Sequence, residues 1–184
     1  MIDRGSALNL AAIGQETDDL DGHVIIVGFG RVGQTVAKAL TLGEVDYVAL
    51  DLHHPRITQC HREGLSVFYG NGADIGILNA VGACRASTEV VTMDQSASTD
   101  RAVKALGDSF SDLKIFVRAR DLRHRQTLTQ EGATSVVPEA LEASIQLVGI
   151  VLRAVGTSVE TIDTVKQEFR RNDYLALEEI QGND

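Results

Sequence analysis

The stretch His23-Val-Ile-Ile-Val-Gly-Phe-Gly-Arg-Val-Gly33 decides how the rest of the chain is read. Four consecutive β-branched residues lead into glycines spaced G-x-G-x-x-G, and Val32, Val36, Ala39 and Leu40 then recur at i, i+4, i+7 and i+8. That is a buried strand, a tight turn and a helix with one apolar stripe. Gly28 permits the turn, Gly30 lets the backbone approach a pyrophosphate with no Cβ in the way, and Gly33 allows helix and strand to pack closely. The start of the helix offers unpaired N–H groups and the positive end of its dipole to a phosphate. Asp51 closes the next apolar run, 18 residues beyond Gly33, where a carboxylate accepts ribose hydroxyls. A carboxylate there repels a 2′-phosphate, so NAD(H) or an adenine nucleotide such as AMP is expected over NADP. The plainer role for Asp51 is a cap on the helix expected near Pro55.

Beyond this stretch, short apolar runs alternate with amphipathic segments. Strands are expected at 23–27, 47–50, 66–68, 89–93, 114–118 and 135–137, with continuous apolar cores such as Val24-Ile-Ile-Val27 and Ile115-Phe-Val117. Continuous runs mean burial on both faces, hence a parallel sheet covered by helices. Pro55 suits a first helical turn, Asp74 and Asp121 suit N-caps, and Glu139 suits the first turn of a longer helix. The expected fold is α/β: a Rossmann-like, doubly wound, parallel six-stranded sheet with helices on both faces over residues 23–155, and a C-terminal helical extension over 156–184. Residues 1–22 mix Gly, Asp, Ser and Thr without sustained periodicity and read as a linker. Residues 159–177 read as a last, more polar helix. Its neighbour at 141–155 is apolar all round, which calls for a second covering surface and suggests a homodimer.

Composition narrows the function. The chain has 184 residues and a net charge of −9, with five acids against one base in residues 1–22 and seven acids against three bases in 156–184. The ends are acidic and the middle is near neutral, with no Trp and eight aromatic residues, which argues against a nucleic-acid surface. No run reaches the roughly 18–20 apolar residues of a membrane helix, and no basic start precedes an apolar block. Cys60 and Cys84 are too few for a disulfide framework, lack metal spacing, and are expected to be small buried residues in a reducing compartment. No GxSxG, HExxH or P-loop is present.

Arg31 sits in the first turn of a helix, where a cation opposes the dipole, so an anion or an acidic neighbour should compensate it. Arg118 ends the fifth expected strand, where open α/β sheets place ligands, while Arg123 and Arg125 read as a solvated helix face. His54 and His61 could share a helix face but lack companions for a metal set.

Taken in order, Gly28-Phe-Gly-Arg-Val-Gly-Gln34, Val48-Ala-Leu-Asp51, Val67-Phe-Tyr-Gly70, Gly82-Ala83, Phe116-Val-Arg-Ala-Arg-Asp121 and Glu168-Phe-Arg-Arg171 resemble the regulatory nucleotide-binding domain of potassium transport proteins. This is the RCK or Trk N-terminal (KTN) domain, and the resemblance is nearest to Kef-type potassium/proton antiporters. It implies a domain on the cytoplasmic face of a membrane, hung from the membrane antiporter domain of the same protein. It also implies a homodimer that binds NAD(H) or AMP-type nucleotides, gates ion flux and performs no chemistry. The implied binding set is Gly28, Phe29, Gly30, Arg31, Val32, Gly33, Asp51, Asn71, Gly72, Asp94 and Arg118. Arg31 and Arg118 match arginines that serve glutathione-gated members. Asn71-Gly72 stands where the family commonly has Asp-Ala, and Asn172 directly follows Arg171 where glutathione-gated members place a spacer. Two alternatives stay open: an NAD-dependent oxidoreductase domain, and a separate subunit of a Trk-type uptake system.

Overall fold

The computed structural model describes residues 4–174. All six expected strands form: β1 (Val24–Val27), β2 (Tyr47–Asp51), β3 (Val67–Tyr69), β4 (Thr88–Val91), β5 (Lys114–Ala119) and β6 (Ser135–Pro138). They pair in parallel in the order β3-β2-β1-β4-β5-β6. The order reverses between β1 and β4, so the loops leaving these strands turn away from each other and open a crevice at their carboxyl ends.

Helices α2 (Arg31–Leu42) and α3 (His54–Arg62) cover one face of β1, β2 and β3, closing over Val24, Ile26, Phe29, Ala49, Ile57 and Val67. The other face is larger and carries α4 (Ile75–Ala80), α5 (Ser96–Ser109) and α6 (Leu122–Gln130), with Leu78, Val103, Leu106 and Leu128 fully buried. Asp74 and Asp121 cap α4 and α6 through their carboxylates, as expected.

Within the expected linker, residues Arg4–Thr17 instead form a helix, α1, packed on α4. Ile13 and Thr17 are buried, and the Thr17 hydroxyl donates to the Ala80 carbonyl at 2.7 Å. Arg85 donates to the carbonyls of Thr17 and Leu20, both at 3.0 Å, which satisfies the open C-terminal end of α1. The segment is weakly amphipathic, and what orders it lies more than sixty residues away in sequence.

After β6 come α7 (Glu139–Ala154) and α8 (Val159–Arg170). The second surface that α7 required is in part α8. Ile145 and Ile162 are buried, and a Cβ at Gly149 would lie 2.3 Å from the Lys166 side chain. Leu147, Ile150, Val151, Val155 and Val159 remain 53–74% exposed, an apolar strip that no described residue covers. The last helix ends at Arg170, short of the expected 177, because Arg171 turns extended (ψ 150°) into a 3-10 turn over Arg171–Tyr174. Residues 175–177 lie outside the described residues. The turn is pinned where Glu142 accepts from Arg170 at 2.6 and 2.8 Å and from the Tyr174 hydroxyl at 2.8 Å. The Arg170 hydrogen bonds hold the Glu142 carboxyl below its usual range, while burial and Glu142 push Tyr174 up to about 12.

Two further expectations are corrected. Cys60 is buried, but Cys84 is exposed. Arg123 is exposed, whereas Arg125 lies 5.7 Å over the Tyr174 ring. His54 stacks on Tyr69 at 4.2 Å, and the His61 ring lies against the Val67 carbonyl, so both are occupied locally.

One buried acid escaped the sequence reading. Glu89 sits in β4 between Ile25 of β1 and Ile115 of β5, is 0% exposed, and neither carboxylate oxygen has a hydrogen-bond partner among the described residues. Burial pushes its carboxyl well above the usual range.

Candidate nucleotide site

The crevice at the switch point is a cleft of about 330 Å³. Its floor is the glycine turn, and three contacts fix that turn. Gly28 takes a left-handed φ of 92° and donates to the Leu50 carbonyl at 2.9 Å, joining the ends of β1 and β2. The Thr92 hydroxyl donates to the Gly28 carbonyl at 2.6 Å, locking the turn to the end of β4. Gly33 then packs so tightly that a Cβ would fall 2.1 Å from the Gly28 oxygen, so its lack of a side chain serves helix packing. At Gly30 a Cβ would meet nothing within 4 Å. The space above Gly30 is open cleft.

Asp51 is 8% exposed and holds the second wall. Its carboxylate accepts from the Phe29 N–H at 2.6 Å, the His53 N–H at 2.7 Å and Arg56 Nη1 at 2.7 Å. The acid thus organises the glycine turn and the entry to α3 before any ligand arrives. The cap of α3 itself is the His53 ring, not Asp51. A carboxylate offers about four lone-pair positions, and these three donors leave one unused.

The electrostatics of the rim are uneven. Among the helices with described caps, α3, α4, α6 and α8 carry side-chain caps and α7 carries Glu139 and Glu142 in its first turn. Helices α2 and α5 have neither a side-chain cap nor an acid in the first turn, and both begin at the cleft, through Gly30 and through Gln95 and Ser98. Two helix N-termini without a side-chain cap or a first-turn acid thus face one crevice, an arrangement that suits an anion.

Of the sequence-predicted residues, Gly28, Gly30, Asp51, Asn71, Gly72 and Asp94 line this cleft. Asn71 accepts from the Ala73 N–H at 3.1 Å to shape the loop after β3, and a Cβ at Gly72 would strike Val27 at 2.2 Å. Arg31, Val32 and Arg118 line an adjoining hollow of about 280 Å³ that shares Gly30, Thr92 and Asp94. There Arg118 bridges Asp94 at 2.8 Å and Glu139 at 3.0 Å. Arg31 is exposed and has no ion pair among the described residues, so the acidic neighbour that could have compensated it is not Asp94 or Glu139. Phe29 and Gly33 are not brought to the cleft: the Phe29 ring is 1% exposed in the core under α2 and α3, and only its N–H, held by Asp51, belongs to the turn. Arg56, Thr92 and Arg101 also line the cleft and were not expected there. Arg56, five residues after Asp51, was legible as a cation on the first turn of the helix that Asp51 introduces.

The sequence pattern of the TrkA-N domain matches residues 24–139, the sheet and the cleft together. The chain belongs to the TrkA-N domain family. Two relatives and one solved structure bound the likeness. The chain is 40% identical over 172 residues to K(+) efflux antiporter 1, chloroplastic, of Arabidopsis thaliana, covering 94% of this chain and 14% of that protein. It is 28% identical over 165 residues to the glutathione-regulated potassium-efflux system protein KefC of Escherichia coli O139:H28, covering 90% of this chain and 27% of that one. Among solved structures it resembles the AMP-bound Kef CTD of Shewanella denitrificans, with a TM-score of 0.69 and 27% identity over 87% of this chain and 98% of that chain. This TrkA-N domain therefore spans about a seventh of the plant relative and about a quarter of KefC. Among its described residues no helix is long and apolar enough to cross a membrane.

Proposed function

We propose that the chain is the ligand-sensing regulatory domain of a Kef-type monovalent cation/proton antiporter, on the cytoplasmic face of its membrane, and that it binds AMP or NAD(H). The observation that carries this reading is the pair of uncompensated helix N-termini over a glycine turn in which Gly30 leaves the space above it open. The likeness to an AMP-bound Kef domain supports the adenine nucleotide, and the glycine pattern with its ribose acid supports NAD(H). Occupancy changes the geometry of the domain, and α1 carries that change towards the membrane part. The domain performs no chemistry. The oxidoreductase alternative predicts sustained turnover of NADH with a carbonyl substrate, which absorbance at the nicotinamide band would reveal.

Calorimetric titration of AMP and NADH into the chain tests the site. Asp51→Ala is expected to weaken both by about 1.5–3 kcal/mol, the range for hydrogen bonds to a charged group. It should also lower stability by about 1–3 kcal/mol, because the Phe29 N–H loses its buried acceptor. An Asp51→Ala protein that binds NADH as tightly as the parent would move the ribose elsewhere.

The homodimer belongs to the same reading. The exposed strip of Leu147, Ile150, Val151, Val155 and Val159 has the character of an isologous contact, and a second apolar hollow of about 460 Å³ opens beside it between α2 and β5, over Val36, Phe116 and Val137. Sedimentation at micromolar concentration should return twice the chain mass of 19.8 kDa. A monomer would leave that strip for another surface. The hollow with Arg31 and Arg118 suits a second anionic effector, for which glutathione is the candidate. Such a ligand would share Arg118 with Asp94 and Glu139, so Arg118→Ala should abolish its effect and spare AMP.

A further inference from the structure

The nucleotide reading gave Asp51 the job of excluding a 2′-phosphate, and that expectation depends on a carboxylate with nothing to neutralise it. Asp51 is not in that state. Its Oδ2 is ion-paired with Arg56 Nη1 at 2.7 Å, inside the cleft wall, and the Asp51 side chain is 8% and the Arg56 side chain 33% exposed. The pair is neutral as a unit. Of the guanidinium's five N–H donors, the contacts among the described residues use one nitrogen, which leaves the rest of a planar fork suited to a phosphate's oxygens. Arg56 also stands in the first turn of α3, a nine-residue helix with no acid in that turn, so the backbone field has the same sign as the side chain.

We infer that Arg56 is a specificity-determining residue of this cleft, and that through it the site accepts adenine nucleotides bearing a 2′-phosphate, the NADP class, alongside those with a free 2′-hydroxyl. A free 2′-hydroxyl donates to the lone-pair position that Asp51 keeps open. A 2′-phosphate instead draws the Arg56 fork towards itself, and Asp51 keeps its two backbone donors from Phe29 and His53, so its carboxylate is not stranded. The inference rests on the nucleotide reading above, and a matched pair of probes separates the two.

The probes are AMP and adenosine 2′,5′-bisphosphate, which differ only in the 2′-phosphate, titrated calorimetrically into the chain and into Arg56→Ala and Arg56→Lys. The parent is expected to bind the bisphosphate within about tenfold of AMP, and Arg56→Ala to lose about thirtyfold more affinity for the bisphosphate than it loses for AMP, the size of a charge-assisted hydrogen-bond pair. Arg56→Lys, which keeps the charge without the fork, should fall between them, and a thermal melt of each variant shows that it folds. If the parent takes AMP but rejects the bisphosphate by more than tenfold, the inference fails and the nucleotide site stands. If Arg56→Ala loses both ligands alike, Arg56 acts only by placing Asp51, and the inference fails. If the parent binds neither, the nucleotide reading itself falls, and this inference with it.

Discussion

Gly33→Ala will not assemble the glycine turn, whereas Gly30→Val, in the same motif, will fold normally and bind no nucleotide. At Gly33 the new Cβ would lie 2.1 Å from the Gly28 oxygen and 3.1 Å from the Thr92 hydroxyl. The first contact is backbone against backbone, so nothing flexible can give way. The Gly28 carbonyl that would have to move is the one Thr92 holds at 2.6 Å, so relief at one point breaks the tie to β4. The expected loss is about 3 kcal/mol, at the upper end for overpacking a tight site. Gly30 is the contrast. Its φ of −71° and ψ of −163° are ordinary for any residue, and a Cβ there touches nothing. A side chain should leave the unliganded protein as stable or slightly more so, since replacing glycine removes unfolded-state freedom worth about 0.4–1 kcal/mol. It would, however, fill the volume above the α2 N-terminus where the phosphate must sit. Thermal melts and AMP titration of the two variants check both halves. A Gly30→Val protein that still binds AMP would remove the phosphate from this turn.

The second large effect concerns Glu89, and its direction is stabilising. A carboxyl group with no hydrogen-bond partner in an apolar core costs about 1–3 kcal/mol even when neutral. Glu89→Leu, which matches the apolar neighbours Ile25 and Ile115, should recover that amount at pH 5 and more at pH 8. The pH dependence follows from linkage. Burial raises the folded-state pKa above the unfolded value near 4.5. Above that value the unfolded chain releases its proton while the folded chain retains it, so stability falls as pH rises, until the folded pKa is passed. Glu89→Gln keeps the shape, still leaves a polar group unpaired, and should flatten the slope without the full gain. Denaturant unfolding of the parent and both variants across pH 5–8 measures this. Equal slopes in parent and Glu89→Gln would mean that Glu89 is not the titrating group.

These two sites mark the limits of reading this chain without its structure. Gly30 and Gly33 could be assigned separate jobs from their spacing, because the turn, the strand before it and the helix after it are contiguous. Glu89 could not be recognised, since a Glu at the start of a strand usually faces water. Only the pairing of β4 between β1 and β5, under α5, places it among Ile25 and Ile115. Arg56 falls between the two: its spacing from Asp51 was visible, but the ion pair that changes what Asp51 can do needed the direction in which α3 leaves β2.

The local grammar was legible in the chain alone: six buried runs, the caps at Asp74 and Asp121, the glycine turn, and so the parallel doubly wound sheet with a crevice at its switch point. Each is written in neighbouring residues, because hydrophobic period, backbone freedom and capping act over a few positions. The tertiary structure decided the rest. It made a helix of residues 4–17, which are only weakly amphipathic, by supplying Ala80 and Arg85 as partners for Thr17 and Leu20. It ended α8 at Arg170 by pinning the following turn through Tyr174 to Glu142. It gave Asp51 three donors, and it left one strip of α7 bare after α8 had covered the other. Those outcomes depend on which surfaces meet, and a contact such as that of Arg85 with Thr17, made across sixty-eight residues, leaves no periodic trace in the chain that makes it.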